Sequence, residues 1–171
     1  MNTNLIELAS AKGDELNDVH ALLQACREAM ERDGIFQWDT SYPSLSIVEE
    51  DYEQSRLYVC RMDGIVVGAV SLYEDEPGEY KSLQWNSARG EASVVHRLGV
   101  RPDYQSKGIA KRLMGYAEDL ARQAGKKAIK LDTYSENEKA AAFYTRLGYT
   151  VTGQVHFAKR VKGYWCFEKL V

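Results

Sequence analysis

The chain has 171 residues, of which 44% are hydrophobic, with 22 basic and 25 acidic side chains. A formal net charge of -3 argues against a nucleic-acid surface, which normally needs a concentrated basic patch. No apolar run is long enough to cross a bilayer, and the three cysteines are scattered without metal-ligand spacing or a secretory signal. We therefore expect a single domain over residues 1–171, in the cytoplasm, with no metal, nucleic-acid or membrane partner.

The first part of the chain predicts two helices and three strands. Asp63-Gly64 lies between two runs of hydrophobic residues, which is the strongest short hairpin signal in the sequence. Apolar residues at helical spacing begin at Leu16 and stop near Gly34. The predicted elements are a strand at 5–9, a helix from 16 to near 34, a short helix at 47–55, and strands at 57–62 and 65–73.

The second part predicts four strands and two helices. Ser135 and Glu138 have the spacing of a capping box, which satisfies the first backbone donors of a helix. That helix is expected to end at Gly148, and the preceding helix at Gly125. The other elements are strands at 93–100, 128–133, 150–157 and 164–170, and a helix at 109–124. Together they predict an α/β fold whose mixed, mostly antiparallel sheet of about seven strands is flanked by helices.

The junction between the strand at 93–100 and the following helix is suited to binding phosphate. The first N–H groups of a helix lack intrahelical partners and carry partial positive charge. Gly108 and Ala110 leave room for a ligand at the backbone. A nucleoside triphosphate loop or a dinucleotide fingerprint would need glycines that this turn lacks, so another pyrophosphate ligand is indicated. The side-chain donors of the turn are Gln105, Ser106 and Lys107.

The same turn resembles the acetyl-CoA loop of the bacterial GNAT superfamily of N-acetyltransferases. The family pattern is Gln or Arg, two residues, Gly, one residue, Gly or Ala, and Gln105, Gly108 and Ala110 fill it in order. The resemblance continues through the strand at 128–133, Asn137 and the helix before Gly148. It implies the GNAT fold and acetyl-CoA, or coenzyme A, as the ligand. The cofactor-binding residues that it implies are Leu98, Gly99, Val100, Gln105, Ser106, Lys107, Gly108, Ile109, Ala110, Lys111, Asn137 and Lys139.

Several of these residues have a second interpretation. In the family, two central strands part beside the loop and the pantetheine arm lies in the opening, which implies binding by backbone groups of Leu98 and Val100. Gly99 would suit a local bulge there, or could simply allow packing in an ordinary buried strand. Asn137 could contact the pantetheine arm, start a helix, or do both. Lys139 could reach the nucleotide phosphates or remain an exposed helical lysine.

Catalysis requires a proton donor for the leaving thiolate and, for some amines, a base. Tyr144 matches the family position whose hydroxyl faces the departing sulfur. With a reference pKa near 10, against about 8.5 for a thiol, a tyrosine can hydrogen-bond or protonate a thiolate. Tyr144 also lies on an apolar stripe and could be a core residue. His96 and Glu91 are the candidate bases, acting directly or through water, although His96 could be structural.

Aromatic residues indicate where the acceptor could bind. Rings in a loop are costly to expose unless they cover a pocket or the core. An acidic segment, 74–76 with Glu79, could attract a cationic amine or be a solvated turn. The candidate pocket residues are Phe36, Trp38, Tyr42, Tyr80 and Trp85.

These expectations combine into one function. The resemblance implies direct transfer of an acetyl group from acetyl-CoA to a primary amine of a small molecule or peptide, in a ternary complex without an acyl-enzyme. A noncatalytic acyl-CoA-binding module and transfer of a longer acyl group are the alternatives. The resemblance also allows a homodimer.

Overall fold

A seven-stranded mixed sheet organises the chain in a computed structural model that describes residues 5–171. The strand order is β1-β2-β3-β4-β5-β7-β6, with β4 and β5 parallel and the pairs β1–β2, β2–β3, β5–β7 and β6–β7 antiparallel. The strands are β1 (Ile6–Ser10), β2 (Leu57–Met62), β3 (Ile65–Tyr73), β4 (Ala92–Val100), β5 (Ala128–Tyr134), β6 (Thr150–Val155) and β7 (Tyr164–Leu170). The helices are α1 (Leu16–Arg32), α2 (Leu45–Glu53), α3 (Ile109–Gln123) and α4 (Glu138–Arg146). The predicted fold class is confirmed.

The residues group into two compact units. Unit 1 contains the chain up to Leu72 together with Arg97–Ala117, and unit 2 contains Tyr73–His96 and Glu118–Val171. A single domain over 1–171 stays a prediction. Among residues 5–171, no helix combines the length and the apolar character that crossing a membrane requires.

The predicted hairpin is confirmed, but the predicted helix cap is wrong. β2 and β3 flank Asp63-Gly64 as expected, and Gly64 has a φ of 82°, which a type I′ turn favours. At the later helix, β5 extends to Tyr134, and the cap is Asn137 rather than Ser135. The Asn137 side-chain oxygen accepts the Ala140 N–H at 3.1 Å, so α4 begins only at Glu138.

In unit 1, two glycines allow helices to approach the strands closely. A Cβ on Gly99 of β4 would lie 2.9 Å from Leu23 of α1. A Cβ on Gly68 of β3 would lie 2.8 Å from Leu113 and 2.9 Å from Ile109, both buried residues of α3. Side chains of α1 and α3 thus pack directly against the backbone of β4 and β3, as closely as atoms pack in a protein interior.

We expect Gly68→Ala to lower the free energy of unfolding by about 1–3 kcal/mol, because its methyl group would overpack this core. Gly115→Ala is the matched control, since Gly115 lies in α3 with open space around a built Cβ. That control should raise stability by about 0.5–1 kcal/mol. Urea unfolding measures both, and equal effects would contradict the packing argument.

Candidate active site

The turn between β4 and α3 presents backbone N–H groups to solvent. Ser106 and Gly108 have left-handed φ values of 62° and 79°, and turns of this kind form anion-binding concavities. Arg112 donates the first helical hydrogen bond, to the Gly108 carbonyl at 3.1 Å, so the N–H groups before it have no intrahelical acceptor. Ser106, Lys107 and Gly108 are exposed, while Ile109 is buried and anchors the helix. The turn can therefore accept an anion on its main chain.

Hydrogen bonds fix the end of β4 beneath this turn. The Val100 carbonyl accepts the Cys26 thiol and the Gln105 side-chain amide, each at 3.1 Å. The Arg101 N–H donates to the Val67 carbonyl at 2.9 Å. Gln105, expected as a donor to the ligand, thus holds the turn to the strand in this structure.

Positive charge surrounds the turn. Lys107 Nζ lies 4.6 Å from the Tyr104 ring centroid, and the Arg101 guanidinium carbon lies 5.0 Å from the same centroid. Arg101 also pairs with Asp103 at 2.8 Å and lowers the pKa of that carboxyl. The sequence interpretation overlooked Arg101 and Arg112, although both flank the glycine of the motif. Together with Lys107 and Lys111 they give the turn a basic character that suits a pyrophosphate.

A buried ion pair holds β4 in an unusual conformation just before the turn. Arg97 has a φ of 51°, which is strained for a residue with a side chain. Its Nη2 lies 2.6 Å from Asp51 Oδ2, and the two side chains are 7% and 1% exposed. Arg97 Nη1 donates to the Tyr42 hydroxyl at 2.9 Å, and the Ser71 hydroxyl donates to Asp51 at 2.6 Å. A departure from strand geometry therefore lies at Arg97, two residues before Gly99, and a bulge at Gly99 itself stays a prediction.

In unit 2, the described parallel pairing of β4 with β5 is short. It runs from Ala92–Ala128 to Val94–Lys130. β5 continues to Tyr134 and stays paired with β7 along that length. Beyond Lys130, β5 is therefore described as pairing with β7 along one edge. Asp132 lies in this part of the strand.

Tyr144 lies in an aromatic cluster of unit 2. Its ring centroid is 5.2 Å from that of Phe143, 6.0 Å from that of Tyr149 and 5.8 Å from that of Phe167. Burial, together with the charge of Asp132, raises the pKa of the Tyr144 hydroxyl. Tyr144 is thus a core residue, and its predicted catalytic role stays a prediction.

Asp132 is a titratable residue of β5 that the sequence interpretation did not single out. Its Oδ2 accepts the Tyr80 hydroxyl at 2.7 Å, and its side chain is only partly buried. Burial raises its pKa to about 6, the charge of Glu79 acts in the same direction, and the Tyr80 hydrogen bond opposes the shift. The available signal in the sequence was an acidic residue, Asp132, placed between Leu131 and Thr133 in a strand that is otherwise mostly buried.

The two predicted bases have different surroundings. Glu91 pairs with Lys127 and accepts the Ala88 N–H at 3.0 Å. The hydrogen bond from Lys127 lowers the pKa of Glu91, which makes that carboxylate a weaker base. The His96 ring lies 4.6 Å from the Tyr73 ring, centroid to centroid.

The predicted substrate pocket is divided between buried and exposed rings. Trp38 is 9% exposed and belongs to the core of unit 1, with Tyr42 packed against that core, whereas Phe36 is 61% exposed. In unit 2, Tyr80 is 1% exposed and its ring centroid lies 4.9 Å from that of Trp85. A lining role for these rings stays a prediction. Unit 2 also has a surface cavity of about 490 Å³, lined by Gly78, Glu79, Lys81, Ser82, Gln154, Val155 and His156.

The family model described as Acetyltransferase (GNAT) family matches residues 18–149. The chain belongs to the GNAT acetyltransferase family. It is an acyltransferase, as are the curated proteins that it resembles.

Three relatives illustrate the match of this GNAT enzyme. It is 25% identical over 159 residues to the uncharacterized N-acetyltransferase YesJ of Bacillus subtilis, covering 91% of this chain and 85% of that protein. It is 29% identical over 108 residues to the L-amino acid N-acyltransferase MnaT of Escherichia coli, covering 63% and 57%. A match at 28% identity to an uncharacterized N-acetyltransferase of Methanocaldococcus jannaschii covers 64% of this chain and 47% of that protein, so the chain spans about half of that relative.

Solved GNAT structures share the fold. An acetyltransferase of the GNAT family from Streptococcus agalactiae superposes with a TM-score of 0.83 at 16% identity, covering 97% of this chain and 95% of that one. The acetyltransferase yncA from Salmonella typhimurium, solved with its cofactor acetyl-CoA, has a TM-score of 0.68 at 20% identity, covering 96% and 93%.

The cysteines of this GNAT enzyme are poor nucleophiles. Burial raises the pKa of Cys26 to about 11, and it also raises the pKa values of Cys60 and Cys166. Because the thiolate is the reactive form, all three thiols are unreactive near neutral pH.

We expect Asp51→Ala to lower the free energy of unfolding by about 3–5 kcal/mol, because it leaves the Arg97 charge buried without its carboxylate. Asp119→Asn is the control, since its pair with Arg122 is exposed and should contribute at most about 1 kcal/mol. Chemical unfolding of both variants tests this. A small effect of Asp51→Ala would mean that the ion pair does not hold the strained strand.

Proposed function

We propose that this GNAT enzyme transfers an acetyl group from acetyl-CoA directly to a primary amine of a small molecule or peptide, within a ternary complex. The observation that carries the proposal is the exposed, basic turn at 105–110, with its unpaired helical N–H groups and the left-handed Gly108. The structural neighbour yncA was solved with acetyl-CoA as its cofactor, which supports the same ligand here.

The turn fits a pyrophosphate. A Cβ built on Gly108 meets nothing within 4 Å, so the space beside its backbone is open. In the proposal, the N–H groups at 108–111 bind the pyrophosphate, and Ser106, Lys107 and Lys111 add side-chain donors. Backbone groups of Leu98 and Val100 bind the pantetheine amides, with Gly99 between them and Asn137 and Lys139 as further contacts.

In this proposal, Tyr144 is the hydrogen-bond donor to the leaving sulfur. When bound, acetyl-CoA supplies a thioester whose carbonyl carbon the amine attacks; the C–N bond forms, the C–S bond breaks and coenzyme A leaves. Because its pKa is raised, the Tyr144 hydroxyl keeps its proton at neutral pH. It can therefore donate a hydrogen bond to the thiolate as negative charge develops on sulfur.

Direct transfer is supported by the state of the thiols. An acyl-enzyme would need a nucleophile, and the buried cysteines hold their protons well above neutral pH. The amine must then meet the thioester while both are bound.

The acceptor class is tested with a panel of amines. The cavity is lined by an acidic and a basic side chain, Glu79 and Lys81, which together suit the ammonium and carboxylate of an amino acid, and the relative MnaT is named for acylation of L-amino acids. Free amino acids, a polyamine and a short peptide with a free N-terminus should be compared by release of the coenzyme A thiol. Amine-dependent release is the expected result. Acetyl-CoA binding without release by any amine would contradict the proposal.

We expect Gly108→Asp to weaken acetyl-CoA binding by roughly tenfold or more, because it places bulk and negative charge against the pyrophosphate. Gly125→Asp is the matched control: Gly125 also has a left-handed φ, of 71°, and open space around a built Cβ. Calorimetry should show near-normal binding for the control. Equal weakening in both variants would indicate lost folding rather than a lost anion site.

We expect Tyr144→Phe to lower kcat by roughly a hundredfold or more while leaving acetyl-CoA binding unchanged, because it removes only the proton donor. Tyr149→Phe is the control, since Tyr149 is a neighbouring buried tyrosine whose hydroxyl donates to Glu118 at 3.0 Å. Its kcat should change by a few fold at most. Unchanged turnover of Tyr144→Phe would limit Tyr144 to a packing role.

A further inference from the structure

One face of β5 in unit 2 is covered by the segment 76–85. Lys130 Nζ pairs with Glu76 at 2.8 Å and lies 4.6 Å from the Trp85 ring centroid. Two residues along the same face, Asp132 accepts the hydroxyl of Tyr80, whose ring packs against Trp85. The lysine and its partner are almost fully buried, whereas Asp132 keeps part of its side chain exposed.

We propose that Asp132 takes the proton from the ammonium group of the acceptor and so generates the amine that attacks the thioester. This inference rests on the proposed function. It is carried by the placement of Asp132, an incompletely buried residue of β5 beyond the last described pair of the β4–β5 ladder, whose carboxylate is oriented by the Tyr80 hydroxyl.

The segment that covers this face of β5 also lines the surface cavity, through Gly78, Glu79, Lys81 and Ser82. Glu79 lines the cavity and is adjacent to Tyr80, and its charge acts on Asp132. Tyr80 itself is buried, so it orients Asp132 and is a positioning residue.

The basicity of Asp132 suits this task. Burial raises its pKa to about 6, so it is still mostly ionised at neutral pH while being a stronger base than an ordinary aspartate. The other titratable groups that act on Asp132 or respond to it are Glu79 and Tyr80 of the covering segment, Tyr144 of α4 and Cys166 of β7, with the Lys130–Glu76 pair beside it on the same face.

Protons and electrons balance with two side chains. Asp132 removes one proton from R–NH3⁺, and the nitrogen lone pair forms the C–N bond. The second proton of the nitrogen passes to the Tyr144 hydroxyl as that hydroxyl gives its own proton to the sulfur and the C–S bond breaks, so Tyr144 ends neutral and coenzyme A leaves as the thiol. Asp132 releases the first proton to solvent after turnover. Because the charge of Asp132 raises the pKa of Tyr144, protonation of Asp132 also makes Tyr144 a better donor for the step that follows.

The test is the pH dependence of kcat/KM for Asp132→Asn, with whichever panel amine the wild type uses. In the wild type, kcat/KM should fall roughly tenfold per pH unit below about pH 6, because Asp132 must be ionised. In the variant, the loss should be roughly a hundredfold or more at pH 7 and should shrink as the pH approaches the pKa of the amine, about 10.4 for a lysine-like acceptor. A structural defect would reduce kcat/KM equally at every pH.

Substitution of two neighbours should shift the pKa of Asp132 in opposite directions while Asp132 itself is kept. Glu79→Gln removes a charge that raises the pKa of Asp132, so the acidic limb of the profile should move to lower pH. Tyr80→Phe removes a hydrogen bond that lowers the same pKa, so the limb should move to higher pH. These variants test the proposal even where Asp132→Asn folds poorly.

The outcomes separate this inference from the proposed function. Absence of turnover by the wild type with every amine overturns both. Wild-type turnover with an Asp132→Asn profile parallel to that of the wild type overturns only the assignment of Asp132. A pH-dependent loss in Glu91→Gln or His96→Asn, without one in Asp132→Asn, transfers the role to a base that the sequence predicted.

Discussion

The ion pair between Asp51 and Arg97 is the interaction on which the end of β4 depends. Arg97 adopts a left-handed conformation inside a strand, and its guanidinium reaches a carboxylate on α2 that is 1% exposed. Buried ion pairs add little net stability but are costly to break, so the pair restricts the strand to one conformation. Leu98 and Val100 follow directly, and the Val100 carbonyl receives bonds from α1 and from the turn. The backbone that precedes the anion-binding turn is thus held from several elements of unit 1.

Unit 1 is characterised by a buried ion pair, whereas in unit 2 acidic and phenolic groups shift one another's pKa values. Asp132 raises the pKa values of Tyr80, Tyr144 and Cys166, and burial is the larger cause in each. Such a cluster keeps phenols protonated and leaves one carboxylate partly protonated near pH 6. Groups with displaced pKa values gather at functional sites because acid and base chemistry at neutral pH requires them.

The fold, including a turn between β4 and α3, was predicted because its signals are local. The Asp63-Gly64 hairpin, the glycine of the turn and the stop signals at Gly125 and Gly148 each act through the conformation of adjacent residues. The helix cap was mispredicted by two residues because β5 continued to Tyr134, and strand length depends on pairing with β7. Trp38 and Tyr80, predicted to line a pocket, are both buried, and the degree to which a ring is buried depends on packing that a single chain pattern does not specify. Their lining role stays a prediction.

Main-chain and side-chain sites therefore differ in how far sequence can predict them. The turn at 105–110 is proposed to bind an anion through consecutive N–H groups, so its pattern lies within a few adjacent residues of the sequence. Asp132 gains its chemistry from Tyr80, which lies 52 residues away, and from burial by elements on both sides of it in the sequence. A substitution in the segment 76–85 would alter the surroundings of Asp132 in unit 2, whereas the turn at 105–110 belongs to unit 1. The proposed proton acceptor and the proposed anion site therefore depend on different stretches of the sequence, and each has to be tested on its own residues.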